Sequence, residues 1–310
     1  MNRKLLLLAV LCAGIVMAAG SQTLSLDPIA TPATVTYDPD SSSDTTGPQF
    51  SITVRLSSKP IKAINFFVTI NGSPTVNSRY LVLTDNSAVS ILCKFYKDST
   101  FTQEILGGNG SGMTSTQVLY GKFAGGTTVL TQTFPVYPWI GKNQQVPYGT
   151  YAGTFTARLY QGTVGAAGTL KDSENFTYTA IVNQKVDVRL GPATGSYDTA
   201  SAIYNINLGE VSNGASGTFA IFLKANTAYT LKMSAASGGY LTSATTSDKI
   251  QYTLTINGVS ETLGPDVIID QETAKQLYSK VLLGAISVAA GQDVEAGQYS
   301  DNIQFTIIAN

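Results

Sequence analysis

One phrase occurs twice in this chain, and it constrains the fold more than any other feature. Gln292, Val294, Gly297 and Tyr299 precede Ile303, Phe305, Ile307 and Ala309 near the C-terminus. Gln144, Val146, Gly149 and Tyr151 precede Phe155, Ala157 and Leu159 in the middle. The offset is 148 residues throughout, from 144 to 292 and from 151 to 299. In each copy a glycine supplies a turn, and the apolar residues after it fall on alternate positions. That is the period-2 pattern of a strand with one buried face. Two copies a domain length apart imply tandem domains of related design. The copies differ in their sequels. The first leads through a small-residue loop, 161–168, into another alternating run, Phe176, Tyr178, Ala180 and Val182. The second runs to Asn310, the last residue. The second domain is therefore expected to stop one strand short.

The rest of the chain agrees with an all-β reading. Short alternating runs recur, among them Phe50 to Leu56, Ile64 to Ile70, Phe219 to Leu223 and Ile250 to Ile256. Turn signals separate them, including hairpin-type Asn71-Gly72 and Asn257-Gly258. Only the segment 271–282 has helical character. A fresh alternating run at Val186 places the boundary between the domains at 183/184. The first is expected over 21–183 and the second over 184–310, both as β-sandwiches.

Arg3 and Lys4, the apolar run Leu5 to Met17 and small residues through Ser21 have the three parts of a secretory signal peptide over 1–20. Leu11 is bulky where lipid attachment at Cys12 wants a small residue, so an exported, unanchored product is expected. Loss of Cys12 leaves only Cys93, within an apolar run, which excludes an intrachain disulfide and suits a buried small hydrophobe. A net charge of −1 with no long basic run gives no reason to expect a nucleic-acid partner. The chain has no histidine, which removes Ser-His-Asp and Cys-His arrangements and the commonest metal ligand. The acidic residues are scattered over loops, Asp38-Pro39-Asp40 reading as a solvated turn. No catalytic, metal or cofactor site is expected.

Several phrases carry a resemblance. Gly297 to Ile303 resembles the C-terminal signature of spore coat protein U domains. Ile91 to Asp98, Gly107 to Ser115 and Val136 to Tyr151 resemble that family's apolar strand, glycine loop and closing turn. Asn207-Leu208-Gly209 and Ala225 to Leu231 resemble pilin-type subunits. Two such domains behind a signal peptide look like the two-domain tip adhesins of archaic chaperone–usher pili. Gly153 where the second copy has Asp301, and the missing paired cysteines, depart from the family pattern. The resemblance implies two tandem immunoglobulin-like, pilin-type sandwiches, the second lacking its last strand. It implies assembly by donor-strand exchange, with a periplasmic chaperone, an outer-membrane usher and an adjacent pilin subunit as partners. It further implies a fimbrial, extracellular location and attachment to a host or abiotic surface, with biofilm formation.

On that reading the strand-acceptor groove is bordered by Val186, Val188 and Leu190 on one side and Ile303, Phe305 and Ile307 on the other. Surface binding falls to loops of the first domain, with Met113, Tyr137, Trp139, Ile140 and Tyr148 singled out. A structural coat or pilus-shaft component without a specific ligand, and a self-sufficient secreted carbohydrate-binding module, remain as rivals.

Overall fold

The structure, a computed structural model, describes residues 22–73 and 75–310. The expected signal segment lies outside the described residues. Among them the only helical element is one 3-10 turn, Tyr197–Thr199. The architecture is all-β, two immunoglobulin-like sandwiches in tandem.

The first unit contains β1 (Leu24–Leu26), β2 (Val35–Tyr37), β3 (Thr45–Thr46), β4 (Phe50–Leu56), β5 (Ile64–Asn71), β6 (Tyr80–Leu83), β7 (Asn86–Tyr96), β8 (Leu119–Phe123), β9 (Thr131–Ile140), β10 (Gly149–Gln161) and β11 (Thr169–Val182). They form one continuous curled sheet in the order β1-β4-β9-β7-β6-β10-β11-β2, with β5 and β8 beyond β10 and β3 on β9. The period-2 runs explain the core. Ile52, Val54 and Leu56 of β4 and Phe155, Ala157 and Leu159 of β10 meet Phe176, Tyr178 and Ala180 of β11 in one apolar cluster. Cys93 belongs to that cluster and, among the described residues, has no disulfide partner. Burying each large side chain there contributes about 1.5–3 kcal/mol.

β11 closes this unit. It pairs antiparallel with β10 along its length, from Gly149↔Val182 to Gln161↔Thr169. Its end pairs in parallel with β2, Ala180↔Val35 to Val182↔Tyr37. β10 is thus bonded on both sides, by β11 on one and by β5 and β6 on the other.

The second unit contains β12 (Val186–Gly191), β13 (Ala215–Ala225), β14 (Tyr229–Ala235), β15 (Tyr240–Ser243), β16 (Lys249–Ile256), β17 (Val259–Ser260), β18 (Val267–Glu272), β19 (Tyr278–Val288), β20 (Tyr299–Ser300) and β21 (Ile303–Ala309). One sheet runs β12-β13-β19-β16-β15-β20, and a second runs β18-β14-β21. Phe219, Ile221, Leu231, Met233 and Leu254 fill the space between them.

Two local expectations need correction. The segment 271–282 is not helical, because it holds the end of β18, a turn and the start of β19. From Tyr278 on, alternate residues Tyr278, Leu282, Gly284 and Val288 are buried. Asn71-Gly72 does not close a hairpin, since β5 pairs with β8 and β10 and not with β6. The Asn71 side chain is instead buried and accepts from the Gly108 amide at 3.1 Å. Asn257-Gly258 does make the expected turn, with positive φ at both residues between β16 and β17.

The two units touch at one end. Lys185 Nζ reaches Asp38 at 2.5 Å and Asp40 at 3.4 Å, Lys275 Nζ reaches Asp85 at 2.6 Å, and the Tyr148 amide donates to the Asn226 carbonyl at 3.0 Å.

Candidate functional site

The second copy of the repeated strand, β21, is bonded on one side. It pairs with β14 from Tyr229↔Ala309 to Ala235↔Ile303 and, among the described residues, with nothing else. The Asn310 amide donates to the Ala228 carbonyl at 2.9 Å, which fixes the phase of the ladder. In an antiparallel pair, hydrogen-bonded and non-bonded residues alternate. Gln304, Thr306 and Ile308 therefore bond β14, while Ile303, Phe305, Ile307 and Ala309 aim their N–H and C=O groups at the open edge. The same four residues turn their side chains to the core.

The consequence is visible in burial. In β10 the corresponding Phe155, Ala157 and Leu159 are 1%, 0% and 0% exposed, whereas Ile303, Phe305 and Ile307 are each only half-buried. What covers the first set is β11. Beside β21 lies a cleft of about 920 Å³, with Ile303 and Phe305 on one wall and Val188 and Leu190 on the other. Its floor includes Phe219 and Ile286. Val186 and Ile307 do not line this space, although both pack against the same core. The outer edge of β12 is also largely unbonded, apart from the exchange between Leu190 and Ser201 at 2.7 and 2.9 Å.

Sequence reasoning missed two parts of this site. Residues 202–209 run along the cleft with Ile206 and Leu208 turned inward and Ile203 exposed. Their irregular spacing of apolar residues gives no strand signal. Asp301 is the second. It stands where the first copy has Gly153, and that difference between the copies is the signal available in the sequence. Its carboxylate faces the cleft and accepts from the Tyr252 hydroxyl at 2.6 Å and from the Asn302 amide at 2.8 Å. Burial, then the bond to Asp301, pushes the Tyr252 phenol well above its usual range.

Residues 28–158, less than half of the chain, match the Spore Coat Protein U domain family. No curated protein matches the sequence. Among solved structures, the chain is similar to one in the chaperone–tip adhesion subunit pre-assembly complex from the archaic chaperone–usher Csu pili of Acinetobacter baumannii, with 10% identity, a TM-score of 0.45 and coverage of 90% of this chain and 99% of that one. It is also similar to the CupB6 tip adhesin from Pseudomonas aeruginosa, with 10% identity, a TM-score of 0.40 and coverage of 92% and 93%. A third is CfaE, the adhesive subunit of CFA/I fimbria of enterotoxigenic Escherichia coli, with 12% identity, a TM-score of 0.32 and coverage of 93% and 81%. At such identities no residue's role passes from those proteins to this chain.

Within the first unit the residues singled out for surface binding are not brought together. Met113 packs beside Phe67, Val118 and Tyr160, at the end where β10 passes into β11. Tyr148 lies at the junction with the second unit, its ring beneath Lys275 Nζ at 4.3 Å. β10 has 13 residues and so separates these two ends by about 40 Å. Trp139 and Tyr137 lie on β9 and are half-buried, and the Trp139 ring meets that of Tyr96 edge-on at 6.2 Å. Ile140 cannot contact a surface, because it is 0% exposed in the core opposite Cys93.

The end remote from the junction carries exposed apolar side chains instead. Ile61 is 85% exposed, Val129 62% and Leu170 50%. Their loops are held together: the Gly126 amide donates to the Pro60 carbonyl at 2.6 Å, and the Gly162 amide donates to the Asn65 carbonyl at 3.0 Å.

Proposed function

We propose that the protein is a fimbrial tip subunit, assembled by donor-strand exchange through a chaperone–usher system, that mediates surface attachment and biofilm formation. The observation that carries this is the contrast between β10 and β21. The two strands are copies of one sequence phrase, yet one is sealed by β11 and the other borders an open cleft. Apolar side chains at a cleft flanked by unbonded backbone are an aggregation hazard unless a strand covers them. The first unit's own β11 indicates the occupant: an extended segment, antiparallel to β21, laid beside residues 202–209. The other half of the division, residues 184–310, is thus the acceptor. A periplasmic chaperone supplies such a strand first, and an adjacent pilin subunit replaces it, the product standing outside the cell. No step calls for catalysis. The adhesive surface is the remote end of the first unit, where the exposed apolar side chains of Ile61, Val129 and Leu170 suit an apolar substratum.

The test is to append a second copy of residues 162–182 directly after Asn310, reproducing the loop and strand that follow β10. The appended protein is expected to be exported as a soluble monomer without a chaperone, while the native chain aggregates or stays chaperone-bound. A native chain that is monomeric, soluble and equally protease-resistant by itself would overturn the proposal.

A further inference from the structure

Apolar side chains line the cleft together with Asn205, Asn207, Ser300, Asn302 and Gln304, but its one charged side chain is Asp301, and that residue has a defined place in the pairing register. The inference that follows rests on the strand-acceptor reading above. In the first unit the residue opposite Gly153 on the closing strand is Tyr178, and the residue opposite Phe155 is Phe176. Carried over by the 148-residue offset, an incoming strand in the same register places one residue opposite Ile303 and another, two positions on, opposite Asp301. Residues directly opposite in an antiparallel pair have Cβ atoms about 4.5–5.5 Å apart on one face of the sheet. The side chain opposite Asp301 therefore reaches its carboxylate.

Asp301 has capacity to receive it. Each carboxylate oxygen holds one hydrogen bond, from Tyr252 and from the Asn302 amide, and each accepts a second. Among the described residues no Lys or Arg pairs with it, although ion pairs form elsewhere in the same unit at Asp187, Asp266, Asp270 and Glu272. Once a strand covers Asp301, an apolar side chain opposite would leave a carboxylate sealed off without a counter-charge, which is strongly unfavourable. A cationic side chain would instead form a charge-assisted bond.

We propose that Asp301 is a specificity residue of the acceptor cleft, selecting a strand that presents a cationic side chain directly opposite it within an otherwise alternating apolar pattern. Gly153 makes no such demand of β11, whose residue there is the uncharged Tyr178.

The probe is a synthetic peptide of residues 169–182, the one sequence known from this structure to pair in the required register. Two variants, Tyr178→Lys and Tyr178→Met, are similar in length and differ in charge. Their affinities for the full-length exported protein are measured by fluorescence anisotropy, alongside the Asp301→Asn and Asp301→Gly proteins. The lysine peptide is expected to bind the native protein about tenfold more tightly than the methionine peptide, the scale of one hydrogen bond to a charged group. That preference should shrink with added salt and vanish in both Asp301 variants; Asp301→Asn covers the case in which Asp301→Gly fails to fold. A purely structural Asp301 would weaken both peptides equally. Equal affinities on the native protein, or a lysine preference that survives in the variants, overturns the selection by Asp301 and leaves the cleft standing. Failure of every peptide to bind overturns both.

Discussion

Leu159→Ala and Ile303→Ala each remove three carbon atoms, one change in each copy of the repeated strand though not at corresponding positions, and the structure assigns them different costs. Leu159 is 0% exposed beneath β11, so its truncation carries the full penalty of a large-to-small change in a closed core, about 2–5 kcal/mol. Ile303 is half-buried at the cleft, and part of the area it would protect is already wet. Its truncation is expected to cost roughly half as much, about 1–2.5 kcal/mol. Addition of the 169–182 peptide should raise the second cost toward the first, because the occupant completes the burial of Ile303. The single tryptophan, Trp139, lies in the first unit, so its fluorescence in a denaturant titration reports that unit alone. Amide hydrogen exchange along β13 and β19 reports the second. If Ile303→Ala costs as much as Leu159→Ala without peptide, and peptide leaves it unchanged, then the second core is already sealed and the cleft is not an acceptor.

Three further outcomes are expected. Burial alone would raise the Asp98 carboxyl, but hydrogen bonds from Thr100, Thr102 and Gln103 outweigh it and hold the group well below the usual carboxylate range. Its stabilising contribution is thus complete above about pH 4 and disappears as pH falls through the lowered value. Asp98→Asn should lower neutral-pH stability and flatten the acid limb of the Trp139 signal, and an unchanged acid limb would count against it. Burial pushes the Cys93 thiol up to about 12, so iodoacetamide at pH 8 should label it only as the first unit opens; labelling at the rate of a free thiol would contradict the packing described. Ile61→Asp and Val129→Asp change exposed side chains and should shift stability by about 0.5 kcal/mol or less. Binding of protein-coated beads to polystyrene should nevertheless fall several-fold, and undiminished binding would move the adhesive surface elsewhere.

Local patterning made the strands legible and long-range pairing made the site illegible in part. Alternation identified β4, β5, β10, β13, β16 and β21, since a half-buried strand needs nothing beyond its own residues to show its period. Which end of the sandwich a residue occupies is another matter. Met113 sits where β10 ends, and Trp139 sits on the stretch of β9 that pairs with β7. No property of the residues between them encodes that. The segment 271–282 looked helical because Lys275, Gln276 and Leu277 are good helix formers, and the pairing of β19 with β13 and β16 overrode the propensity.

The repeat itself shows how far such reading reaches. Comparing its two copies exposes both what is shared, a strand with one apolar face, and the exchange of Gly153 for Asp301. The exchange has no meaning until Tyr252, 49 residues away in the chain, arrives to hold the carboxylate at the cleft. Nor does the openness of the cleft follow from the residues of β21, which would suit a closed core as well as those of β10 do. It follows from the partner on the outer edge, which β10 has in β11 and which β21, among the described residues, does not. A strand that is sequence-ready for burial and backbone-ready for pairing on its free side has one low-energy outcome, the arrival of another extended segment. The Ile303→Ala comparison measures that readiness directly, because it asks how much burial remains to be gained.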